Sequence, residues 1–138
     1  MKRWSTSALL VATFVTLAVA LSACGSDPSP LVLGKDSTGG SAELKRGQIL
    51  EVKLEGNPTT GYSWEVKKSG EPVVRLQNQP VYTQSNAGGS TLVGSGGTYT
   101  FTFVGAETGA TTIELVYHRP WETTTAPLET YFLEATVN

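Results

Sequence analysis

The fold class this chain predicts is all-β: an antiparallel β-sandwich of seven to eight strands behind a cleaved N-terminal signal. Three observations carry it. Apolar residues beyond Gly40 recur with period two, and Gly, Pro and Asn separate the segments so marked. No segment past the leader keeps a 3.6-residue apolar period, so helices are not expected. A barrel is the alternative closure. The sole cysteine lies in the leader region, so the immunoglobulin cysteine pair is absent and any immunoglobulin-like character is architectural.

The leader comes first. Lys2 and Arg3 precede an apolar run from Ala8 to Leu21, broken only by Thr13 and Thr16. A membrane-spanning helix needs about 20 apolar residues and this run is shorter, so an export signal over residues 1–23 is the better reading. It ends in Leu21-Ser22-Ala23-Cys24. That arrangement resembles a bacterial lipoprotein signal, in which cleavage leaves Cys24 as a lipidated N-terminus, with the protein exported and anchored to a cell membrane of the envelope. A plain signal cut near Ala23 would instead leave an unpaired thiol, which is harder to explain in an exported protein. Either way no disulfide can form within the domain, and stability rests on the core.

Residues 24–40 read as lipidated N-terminus and tether, rich in Gly, Ser, Pro and Asp, with Leu31-Val32-Leu33 as a possible short first strand. The remainder, 41–138, reads as one domain. Leu50, Val52 and Leu54 form one apolar row and Tyr62, Trp64 and Val66 a second. Tyr99, Phe101 and Phe103 form a third, Ile113, Leu115 and Tyr117 a fourth, and Tyr131, Leu133, Ala135 and Val137 the last. Val73–Leu76 and Pro80–Thr83 are weaker and lie close to prolines, as edge strands do. Removal of the leader leaves eight basic residues against twelve acidic ones, a charge near −4. Nucleic acid, which wants a basic face, is thereby disfavoured.

Three segments at strand ends hold the chemistry. In Asn57-Pro58-Thr59-Thr60-Gly61-Tyr62, Pro58 fixes φ, Gly61 tolerates positive φ, and two uncharged hydroxyls sit at the tip. The segment is either a plain connector between two strands, for which Asn-Gly or Asp-Gly would suffice, or a stiffened loop that presents the two threonines. Gly94-Ser95-Gly96-Gly97 is the weakest signal alone, in a region already loop-rich at Asn86–Ser90. It is no phosphate cradle, because no helix-like segment and no Gly-Lys-Ser/Thr ending follow. Arg119-Pro120-Trp121 follows a strand end; Pro120 stops pairing, and the polar Glu122–Thr125 gives Trp121 little cover. Trp121 either caps the sandwich edge or stands exposed, and an exposed Trp beside an Arg has the composition of a binding hot spot.

Taken in order, these segments resemble the three binding loops of the chagasin family, inhibitors of papain-like cysteine peptidases (inhibitor family I42). The resemblance covers about residues 41–138. It implies reversible, tight, non-covalent occlusion of the peptidase cleft. Thr59 and Thr60 would lie across the catalytic cysteine, with Asn57, Pro58 and Gly61 shaping the loop. The backbone of Gly94, Ser95, Gly96 and Gly97 would lie on one wall, and Arg119, Pro120 and Trp121 would grip the other. It implies no catalysis and no cofactor or metal, and one-to-one plugging fits a monomer. Tyr62 and Trp64 fall on an inward row and are expected in the core.

His118, the only histidine, has no partner evident in the sequence and is expected to face solvent at a strand end. A Cys–His couple would need Cys24, on the tether, and no metal-ligand cluster is visible. The competing class is an envelope lipoprotein using the sandwich for adhesion or assembly, for which the threonine row Thr98, Thr100 and Thr102 would be the face.

Overall fold

The computed structural model describes residues 28–85 and 94–138. The signal, Cys24 and the Asn86–Ser90 stretch lie outside the described residues. Nine strands run in chain order: β1 (Leu31–Leu33), β2 (Ser41–Leu44), β3 (Ile49–Gly56), β4 (Ser63–Lys68), β5 (Val74–Leu76), β6 (Val81–Gln84), β7 (Gly97–Gly105), β8 (Gly109–His118) and β9 (Glu129–Val137).

They form two facing sheets. In one, the order is β1-β3-β7-β5, with β6 also pairing along β7; in the other it is β2-β9-β8-β4. β7 is central because both its edges are filled. β3 pairs along its whole length from Ile49 opposite Val104 to Gly56 opposite Gly97. The two short strands share the opposite edge, β5 against Phe103–Gly105 and β6 against Gly97–Thr100. Pro80 and its neighbours interrupt what would otherwise be one strand, since proline offers no ladder donor.

The alternating rows expected from the sequence are the core. Leu50, Val52, Leu54, Phe101, Phe103, Ile113, Leu115, Tyr131, Leu133, Ala135 and Val137 are all buried between the sheets. Each large side chain so buried contributes about 1.5–3 kcal/mol. Val66 is only half-buried, because β4 is an edge strand whose pairing with β8 shifts register between Val66 and Lys68.

Two features depart from an all-antiparallel reading. β1 pairs parallel to β3, and β2 pairs parallel to β9. Leu31–Leu33 is thus a strand of the domain. Residues 35–40, read as tether, also pack on it: Ser37 Oγ lies 2.9 Å from Tyr131 Oη, and Gly39 N donates to Phe132 O at 2.8 Å. The physical reason is that sheet edges leave unpaired backbone groups, and this segment covers one edge of each sheet on its way across.

Candidate functional site

β3 and β4, β6 and β7, and β8 and β9 are joined at the same end of the sandwich. This convergence brings the three predicted segments together.

The first is a single 3-10 turn, Pro58–Thr60, capped on both sides. Asn57 Oδ1 accepts from Thr59 N (3.1 Å) and from Thr59 Oγ1 (2.7 Å). Thr60 Oγ1 donates to Asn57 O at 2.6 Å. Gly61 closes the turn in the left-handed region, φ 82°. Pro58, Thr59 and Thr60 are exposed. Both threonine hydroxyl protons are directed back into the loop, to Asn57 Oδ1 and Asn57 O. The backbone there is a tight turn and not an extended strand.

Asn57 also ties this loop to its neighbours. Its Nδ2 donates to Gly94 O at 2.9 Å, across to the second segment. Its backbone N donates to Tyr117 Oη at 2.8 Å, down to the strand beneath. Gly94 is exposed with φ 89°, and Ser95 Oγ accepts from Gln84 Nε2 at 3.0 Å. Gly97 departs from its expected place on the contact surface. It is buried at the head of β7, where an added Cβ would overlap the Thr83 carbonyl and come 2.6 Å from the Tyr82 ring. Its lack of a side chain lets β6 close on β7; Gly94, Ser95 and Gly96 form the accessible part.

The third segment leans on the first. Trp121 is 67% exposed, and a Cβ at Gly61 would come 2.5 Å from Trp121 Cη2, so the indole edge lies against the Gly61 backbone. Arg119 places its guanidinium 4.6 Å from the centre of the Tyr62 ring and donates from Nη1 to Glu122 Oε1 at 3.0 Å. The Glu122 hydrogen bond raises the Arg119 pKa from its ordinary value, and the side chain stays charged. Arg119 Nε is buried without a hydrogen-bond partner among the described residues. The guanidinium therefore braces the loop internally, as well as edging the surface.

Beneath the loops runs an aromatic stack that the motifs did not reveal. Trp64 and Tyr117 have ring centres 5.1 Å apart, and Tyr62 and Tyr117 5.4 Å apart. Trp64 is buried as expected, its Nε1 donating to Glu55 O at 2.8 Å. Tyr62 is only partly buried, because it sits just before β4 and under Arg119. Such offset pairs contribute about 0.5–1.5 kcal/mol beyond burial. Tyr117 was legible only as a core residue; a hydroxyl at the loop end of an inward row was the available signal. His118 is half-buried and its Nε2 lies 2.7 Å from Glu65 Oε2, so it does have a partner, supplied across the β4–β8 ladder.

The sequence model of the chagasin family of peptidase inhibitors (I42) matches residues 43–135, a span that contains all three segments. The chain belongs to the chagasin family. Amoebiasin-1 of Entamoeba histolytica is 38% identical over 90 residues, 64% of this chain and 82% of that protein. Chagasin of Trypanosoma cruzi is 30% identical over 90 residues, 63% and 79% of the two chains. The crystal structure of EhICP2, a cysteine protease inhibitor from Entamoeba histolytica, superposes with a TM-score of 0.71 at 23% identity, covering 80% of this chain and 96% of that one. At that identity the last comparison establishes the fold, a chagasin-like sandwich.

Within this chagasin-like site, Arg119→Ala should raise an inhibition constant no more than about tenfold, because its partly exposed ion pair and ring contact are screened by solvent. The check is a dose–response curve beside the parent protein. A loss larger than that of Trp121→Ala would give the guanidinium the leading place in the contact.

Proposed function

We propose that the protein is a reversible, tight-binding inhibitor of papain-like cysteine peptidases that fills the active-site cleft with three loops. The observation that carries this reading is the cross-bracing of those loops at one end of the sandwich: Asn57 to Gly94, and Trp121 on Gly61. A surface already held in shape loses little ordering entropy on binding. Family membership supplies the target class.

In this reading Thr59 and Thr60 occupy the cleft, the Gly94–Gly96 backbone lies on one wall, and Trp121 packs on apolar surface of the other. In this reading the 3-10 turn protects the loop from cleavage. A substrate is held extended, whereas here the Thr59–Thr60 peptide is bent back on Asn57, and its carbonyl is not offered for attack. Three loops of this kind can supply the roughly 800 Å² per partner of a standard interface. One-to-one plugging needs only a monomer.

The chain acts, on this account, as an exported lipoprotein held at a bacterial cell membrane through lipid on Cys24. The Leu21-Ser22-Ala23-Cys24 sequence supports this. A lipid group with two chains meets the requirement of two membrane signals for stable anchoring. The adhesion reading asks for a flat exposed face. The Thr98, Thr100 and Thr102 row is half-buried beside Glu55, Lys53 and Glu51 of β3, and offers a weaker case than the loops.

The test is steady-state kinetics of papain and a cathepsin-L-type peptidase at several fluorogenic-peptide concentrations. Competitive inhibition is expected. A pattern independent of substrate concentration would place the contact outside the cleft.

A further inference from the structure

The two ends of the sandwich differ in what they carry. β3 runs from Ile49 towards Gly56 and delivers the Asn57 loop at its far end. β1 lies parallel to it with Leu31 opposite Leu50 and Leu33 opposite Val52, so the chain enters beside the start of β3, away from the loops. Gln48 Nε2 donates to Ser29 O at 2.8 Å and holds that entry at the β2–β3 turn. Asn138 is there as well, since Arg46 N donates to Asn138 O at 3.2 Å.

Charge divides the same way. At the entry end the charges balance: Lys45, Arg46 and Arg75 stand with Glu43, Glu71 and Glu107, and Arg75 pairs with Glu107 at 3.4 Å. At the loop end Asp36, Glu55, Glu122 and Glu129 outnumber Lys35 and Arg119, and both of these bases are already paired, to Glu129 and Glu122.

We propose that the domain stands on the membrane by its entry end, with the three loops facing away from the lipid surface. This rests on the reading of Cys24 as lipidated. Five residue-to-residue steps lead from Cys24 to Ser29, at most about 18 Å of extended chain. The eight residues of β3 add about 26 Å. The loops are therefore held within roughly 45 Å of the bilayer and open to peptidases in the aqueous space on that side. An anionic surface repels the acidic loop end and leaves the charge-balanced entry end beside it.

The experiment uses the full chain, expressed in a bacterium and purified with its lipid. Mass spectrometry of Cys24 comes first; an unmodified cysteine overturns the lipoprotein reading and the proposal with it, without touching inhibition. Lipidation blocks that thiol, so Thr108→Cys, in the β7–β8 turn at the entry end, or Thr123→Cys, beside Trp121, can each carry a single fluorophore. On vesicles of phosphatidylcholine and phosphatidylglycerol containing a headgroup nitroxide, the Thr108→Cys label should be quenched at least about threefold more than the other. Equal quenching, or the reverse order, in a protein that is lipidated would overturn the orientation.

Discussion

Trp121→Ala weakens inhibition of papain about thirtyfold or more on this account, a loss of about 2 kcal/mol. The indole is the most exposed large apolar side chain among the described residues, 67% accessible, whereas Trp64, Phe101, Phe103 and Tyr131 are buried. It does not hold the core together, so its removal should leave the unfolding midpoint nearly unchanged. An exposed aromatic anchor beside an arginine has the composition in which interfaces concentrate their energy. The measurement is a pair of curves, inhibition constant and thermal unfolding, for parent and variant. An unchanged inhibition constant would remove Trp121 from the contact.

Gly61→Ala should be costly in two ways that can be separated. The residue sits at φ 82°, where a side chain costs about 1–2 kcal/mol of stability. Its Cβ would also come 2.5 Å from Trp121 Cη2 and push the indole off its seat. The variant should therefore unfold earlier and inhibit at least about tenfold more weakly. If the second effect acts through Trp121, the two substitutions will not add. In a Trp121→Ala background, Gly61→Ala should lose much less affinity than in the parent. Full additivity would mean that the indole and the glycine serve the contact independently.

Much of this architecture was legible beforehand, for a physical reason. Half-buried strands write their geometry into alternation, and the rows through Leu50, Phe101, Leu115 and Leu133 are buried as their period required. Ser41–Leu44 carried no such mark. It is four residues long with a small Ala42 inward, and its partner lies at Glu134–Val137, so only the folded chain reveals the parallel pairing.

The site divides similarly. Pro58 and Gly61 announced a stiff turn, but nothing local showed that Asn57 reaches Gly94, 37 residues away. The Gly94–Gly97 spacing hid a difference within itself, since Gly97 serves strand closure and Gly94 serves the loop. Arg119 read as a contact residue; its partners Tyr62 and Glu122 show that it also shapes the loop from within. Cooperation between distant segments is what sequence spacing cannot carry.

The most direct test of the central claim incubates soluble protein beginning at Gly25 with active papain, then reads residual activity and the inhibitor's mass together. The account predicts loss of activity at nanomolar inhibitor, with the chain recovered uncut. Full activity at micromolar inhibitor, or cleavage between Thr59 and Thr60, would contradict it.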